Sequence, residues 1–203
     1  LAEVGGDAPS PSASRPAAGA ASQSAVLAFK SIGTDPATVA PWRLSVSTET
    51  VESWVRAEVL NVVSVTETLL SGRSIIRYDI QNAPLKDFRV KTPPGWRNVE
   101  VYGTNLRRRD ETNSEWRIEL QNKVRGAYTL TFTWEQPRPV RTNALMDLAG
   151  LETLGTERET GWMVVQSRPA VQIGEKTVPD VLVRIDPKDA RVQAAAQAGA
   201  VEV

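Results

Sequence analysis

Cysteine and histidine are both absent from the 203 residues. No disulfide, thiol nucleophile, imidazole base or His/Cys metal site can therefore form in this chain. An excess of either charge is missing as well, because 24 Lys+Arg balance 24 Asp+Glu. A protein devoted to a phosphate backbone usually carries a basic excess, so no nucleic-acid partner is expected. No run of about 18 apolar residues occurs, so no membrane-spanning helix is expected. Aromatic residues are few at 6%, yet six are Trp against three Tyr and three Phe. A hydrophobic content of 41% is enough for a folded core, which excludes collagen-like and wholly disordered classes.

What is present is unevenly spread. Residues 1–23 are rich in Ala, Ser, Pro and Gly and hold no aromatic side chain. Such a segment has little apolar area to offset the entropy of ordering, and it reads as a flexible linker. The aromatic residues concentrate between Trp42 and Trp134, which marks residues 24–137 as the main domain. Periodicity there is two, the period of a strand with one buried face. Tyr128, Leu130, Phe132 and Trp134 alternate with Thr129, Thr131, Thr133 and Glu135. Trp116, Ile118 and Leu120 alternate with Arg117 and Glu119, and the link 121–126 reads as a hairpin turn between these two runs.

A second hairpin is expected from 51–65 and 73–81, with Ser71-Gly72 as its turn and Asn82-Ala83-Pro84 as its stop. Alternation fails at Asn61-Val62-Val63, which points to a bulge or to burial on both faces. Shorter strand signals cover Ala25–Lys30, Arg43–Ser47, Phe88–Val90 and Val99–Val101. Further strands are expected at Gly161–Ser167 and Val181–Ile185, and Asn143–Leu154 reads as a short helix or an irregular extended segment. Asp186 as N-cap and Pro187 at the first helical position open a short C-terminal helix. The fold class is all-β, an antiparallel β-sandwich with extra C-terminal strands and a short terminal helix. Residues 138–203 either extend that sandwich or begin a neighbouring β module.

Few side chains are equipped for chemistry. Ser24 and Lys30 lack the helical spacing of a Ser–Lys dyad. Asp79, Glu119 and Glu135 could supply a glycosidase carboxylate pair, but each also fits a solvated strand face. Arg107-Arg108-Arg109-Asp110-Glu111 reads as a hairpin loop whose arginines oppose a cation and whose acids neutralise them. No catalytic residue, metal or cofactor is expected. Trp116 and Trp134 continue apolar faces and belong to the core. Trp54 lies on the Glu52/Arg56/Glu58 face, and Trp96 follows Pro93-Pro94-Gly95 in a turn. Either packs under a neighbouring segment or offers a stacking surface to a sugar ring, so Trp54 and Trp96 are the candidate ligand-binding residues.

The run Tyr78-x-Ile80, Phe88-x-Val90-x-x-Pro93-x-Gly95, Val99-x-Val101, then Trp116-x-Ile118-x-Leu120 and Gly126-x-Tyr128-x-Leu130-x-Phe132, carries a resemblance over about residues 50–136. It resembles β-sandwich modules of large uncharacterised bacterial envelope proteins. More loosely, it is similar to the N-terminal β domain of the large zinc aminopeptidases, a non-catalytic docking domain. The catalytic zinc motif of that family is absent, and no functional residue transfers.

The resemblance and the start at Leu1 rather than Met imply a module from a larger extracytoplasmic protein, periplasmic or at the cell surface. Its partners would be other protein domains or a cell-surface glycan. The alternative is a carbohydrate-binding module that uses exposed tryptophans. An edge strand could also pair with a second copy.

Overall fold

A computed structural model describes residues 27–30, 43–138, 145–167, 171–189, 192–193 and 197. The chain divides into two compact units, Leu1–Ser47 and Thr48–Val203. In the first unit, residues 27–30 and 43–47 form neither helix nor strand, so the signal at Arg43–Ser47 is not realised; of the signal at Ala25–Lys30, Ala25 and Val26 lie outside the described residues.

Among its described residues, the second unit forms a seven-stranded mixed sheet. Its strands are β1 (Ser53–Val65), β2 (Leu69–Lys91), β3 (Arg97–Gly103), β4 (Leu106–Thr112), β5 (Glu115–Pro137), β6 (Glu152–Leu154) and β7 (Arg158–Ser167). The main path runs β3-β5-β2-β1-β7, with β4 also on β5 and β6 also on β2. All pairings are antiparallel except β1 with β7, which is parallel. The all-β expectation holds, while the strands pair into one hydrogen-bonded sheet of mixed direction rather than an all-antiparallel one.

That sheet folds back on itself. Tyr78 and Phe88 share β2 and lie ten residues apart, about 33 Å along a straight strand. Their ring centroids are 4.7 Å apart. Trp116 and Phe132 share β5, and their rings meet edge to face at 6.2 Å. Both long strands must therefore turn a corner, as strands do when they pass from one layer to another.

The β2–β5 ladder is irregular between Ile80 and Leu85 and again between Leu85 and Asp87. Strands β3 and β4 run in the same direction along one edge of β5, joined at Thr104-Asn105, so they act as a third strand rounding the corner. Each of the three paths has a left-handed residue there: Asn82 at φ 63°, Asn105 at φ 56° and Gly126 at φ 84°. Asn and Gly are the residues that adopt this conformation at least cost.

The corner explains two further corrections. The runs at 116–120 and 128–134 are not a hairpin; they are the two halves of β5. Arg107–Arg109 are not in a hairpin loop; they lie on β4. In each case a turn-forming sequence bends the strand without reversing it. True reversals lie elsewhere. The β1–β2 turn is at Thr66–Leu69, where the Leu69 N–H donates to Thr66 Oγ1 at 3.1 Å. Asn113 and Ser114, at φ 53° and 64°, form the reversal from β4 to β5, matching a type I′ hairpin turn.

Ser71-Gly72 is not the turn that its composition suggests. Gly72 lies inside β2, opposite Val63 and Trp134. A Cβ built there would sit 2.1 Å from Trp134 Cε2, so the missing side chain is the space the indole fills. At Asn61 the β1–β2 register is unbroken, and residues from Val59 to Val63 are all buried. Burial on both faces, rather than a bulge, is the reason alternation fails.

The larger core lies inside the fold of the sheet. Val59, Ile76, Ile80, Val90, Val101, Ile118, Leu120, Leu130 and Phe132 are almost fully removed from solvent there. A smaller cluster of Val63, Val65, Leu70 and Trp134 is covered by Met146, Leu148, Met163 and Val171.

After residue 138 the chain contributes β6 and β7 to the same sheet. Residues 145–151 form neither helix nor strand, and Leu151 returns to the core. Val181–Ile185 is not a strand: Val181 and Val183 are 87% and 82% exposed. The expected terminal helix falls largely outside the described residues. Its proposed start has a capping contact, with the Lys188 N–H donating to Asp186 Oδ1 at 2.9 Å.

Candidate functional site

Trp54 lies on β1 opposite Gln81, on the solvent side of the strand, and is half-buried. Arg56, two residues along and on the same face, places its guanidinium 4.0 Å from the Trp54 ring centroid. One face of this indole thus carries a cation from its own chain.

Trp96 is also half-buried, and it is stacked on Trp134 at 4.1 Å with an interplanar angle of 10°. One of its faces is occupied by packing. Trp134 pairs with Gly72, and Gly72 with Val63. Val63 is nine residues along β1 from Trp54, about 30 Å in an extended strand. The fold therefore does not bring Trp54 and Trp96 into one site. Trp162 is half-buried on β7 beside Leu60, and Trp42 lies outside the described residues.

Beneath Trp134 lies a buried polar relay that alternation alone did not reveal. Trp134 Nε1 donates to Ser74 Oγ at 3.3 Å, and Ser74 Oγ donates to Asn61 Oδ1 at 2.7 Å. Asn61 and Ser74 are cross-strand partners. The break in apolar pattern at Asn61 was the sequence signal for it.

The carboxylates are dispersed and partnered. Asp79 accepts a hydrogen bond from Gln81 Nε2 at 2.8 Å. Glu135 accepts one from Asn98 Nδ2 at 2.8 Å. Glu135 pairs with Ser71, eight residues from Asp79 along β2, or about 26 Å. Glycosidase carboxylates stand within about 10 Å of each other.

Glu119 lies across the ladder from Asp87, but cations hold both: Lys86 Nζ is 2.8 Å and Arg107 Nη1 3.1 Å from Glu119, and Arg117 Nη2 is 3.3 Å from Asp87. The Lys86 hydrogen bond, more than the surrounding charges, draws the Glu119 carboxyl below its ordinary range. Among the described residues, no group of three or more Asp or Glu side chains is placed to hold a metal.

Tyr78 is a different kind of polar group. Its hydroxyl is buried without a hydrogen-bond partner, as is Trp116 Nε1. Burial, followed by the nearby negative charge of Glu159, pushes the Tyr78 phenol far above its ordinary value. Glu159 itself accepts from the Thr153 N–H at 2.6 Å and Thr153 Oγ1 at 2.5 Å. This contact ties β7 to β6, which pairs with the far half of β2.

No protein-family model matches the chain, and no curated protein matches it. Among solved structures it is similar to the M1 zinc metallopeptidase from Deinococcus radiodurans, at 16% identity and a TM-score of 0.30. The same values hold for a mutant of that enzyme bound to a Tyr-Ser-Ala substrate. The overlap covers 42% of this chain and 20% of the metallopeptidase, so the chain spans about a fifth of the length of the structures it matches.

Proposed function

We propose that this chain is a non-catalytic structural or interaction module of a larger bacterial extracytoplasmic protein. The observation that carries this reading is the internal use of the candidate site groups. Trp96 stacks on Trp134, Trp134 fills the space at Gly72, and Asp79, Glu119 and Glu135 each hold a partner from their own chain. Side chains committed in this way serve the sheet more readily than a substrate.

A second reading rests on Trp54. It stands on the solvent side of β1 with Arg56 over its ring, and an aromatic beside a cation is a fitting platform for an acidic or neutral sugar. Intrinsic tryptophan fluorescence during titration with soluble polysaccharides and peptidoglycan fragments separates the two. The module reading expects no saturable shift. A saturable shift that Trp54→Ala removes would replace it with a carbohydrate-binding module.

A further inference from the structure

We propose that β4 is a self-complementary edge through which two copies of this chain join their sheets. Among the described residues β4 pairs on one side only, with β5. It contains no proline, and its side chains from Arg107 to Arg109 and from Glu111 to Thr112 are exposed. An exposed strand edge is a template for another strand, and proteins usually guard it with charge. A guard of one sign would repel a second copy in every register. This edge instead reads Arg107-Arg108-Arg109-Asp110-Glu111, cations first and anions second.

Two identical strands that pair antiparallel are related by a two-fold axis perpendicular to the sheet. Opposed residues then share a face, so the axis must pass through a residue position. With the axis at Arg109, Arg108 opposes the partner's Asp110, and symmetry repeats the pair; Arg107 is held by its own Glu119 at 3.1 Å. With the axis at Asp110, two aspartates would oppose each other. Either axis sets two like charges opposite each other, which is unfavourable, and the first register is the one whose central charge is held elsewhere.

Arg109 does not obstruct that axis. Its Nη1 donates to the Val101 carbonyl at 2.7 Å, which draws the guanidinium back along its own chain. Arg108, which is exposed, and Asp110, which is half-buried, now pair with each other within one strand at 2.7 Å. In the dimer they exchange that contact for the same contact across the axis. The ladder is irregular between Leu106 and Arg108, so Arg107 stands at the margin of the joined stretch. Main-chain hydrogen bonds would supply the affinity and the charges the register.

Sedimentation equilibrium of the full chain tests this. A concentration-dependent dimer is expected in low salt, shifting toward monomer as salt screens the exposed pairs. Two variants sharpen the result: an acidic edge, Arg108→Glu, and a basic edge, Asp110→Arg. Each alone should dimerise about tenfold more weakly or worse, while their equimolar mixture restores a one-to-one dimer. Far-UV circular dichroism confirms that each variant is folded, and the milder Arg108→Ala stands in for one that is not. A wild-type chain that stays monomeric in low salt at its highest soluble concentration overturns the proposal. So does a dimer that neither edge variant, nor Arg108→Ala, weakens.

Discussion

The two halves of the folded sheet share β2 and β5 but are held together differently. In the first half, β2 from Leu69 to Ile80 lies between β1 and the C-terminal part of β5. Its distinctive contacts are internal: Trp134 over Gly72, and the relay from Trp134 through Ser74 to Asn61. In the second half, the outward side chains form a charged lattice of Lys86, Asp87, Arg107, Arg117 and Glu119. Its inner face supplies apolar residues to the common core, while its outer face is solvated. The difference teaches where sensitivity lies. Close packing does not tolerate added volume, whereas exposed ion pairs exchange readily with water.

The sharpest way to break this contrast is at glycine. Gly72→Ala places a Cβ into the Trp134 indole and should cost about 3 kcal/mol, read from the urea midpoint. Gly126→Ala is its control, because nothing lies within 4 Å of a Cβ there and only the positive φ resists. That change should cost about 1 kcal/mol. Equal losses at the two sites would contradict the packing role assigned to Gly72.

Ser74→Ala comes next, at about 2 kcal/mol, since it strands both Trp134 Nε1 and Asn61 Oδ1 in the interior. The Trp134 emission maximum should shift with it.

Tyr78→Phe should move stability the other way, by about 1 kcal/mol, because its buried hydroxyl has no partner. The pH sign follows from its raised folded value. The neutral phenol is favoured in the fold, so this contribution is complete below the ordinary tyrosine value of about 10 and is lost as pH rises above it. Alkaline unfolding should therefore begin near pH ~10 in the wild type and be less steep in Tyr78→Phe.

Glu119→Gln should have the smallest effect at neutral pH, because the half-buried carboxylate lies at the solvent edge, where its ion pairs are screened. Its folded value is lowered, so its contribution is present above the ordinary glutamate value of about 4.3 and is lost as pH falls through the lowered one. Denaturation midpoints measured across that acidic window should fall less in the variant than in the wild type. An unchanged acid profile would remove the Lys86–Glu119 pair from the account of the second half.

Much of the strand content was legible in the chain itself. The alternation from Tyr128 to Trp134 and from Trp116 to Leu120 named the buried face of β5, because period two is a local property of an extended backbone. The absence of His and Cys removed whole classes of chemistry without reference to any fold. Direction was not legible. Asn82, Asn105 and Gly126 are turn residues by composition, and whether such a residue reverses a strand or bends it depends on what the two arms can bury.

Here Phe88 meets Tyr78 and Tyr128, and Trp116 meets Phe132, contacts that only a folded-back sheet can make. The same limit applied to the candidate tryptophans. Their number was written in the sequence, but stacking on Trp134 and the long separation of Trp54 from Trp96 are properties of pairing partners distant along the chain. The sequence by itself determined the side-chain alternation and the available chemistry, both of which are local. Tertiary structure decided the corner, the parallel β7 and the fate of each indole, because burial is settled by residues that meet only when the sheet closes over its core.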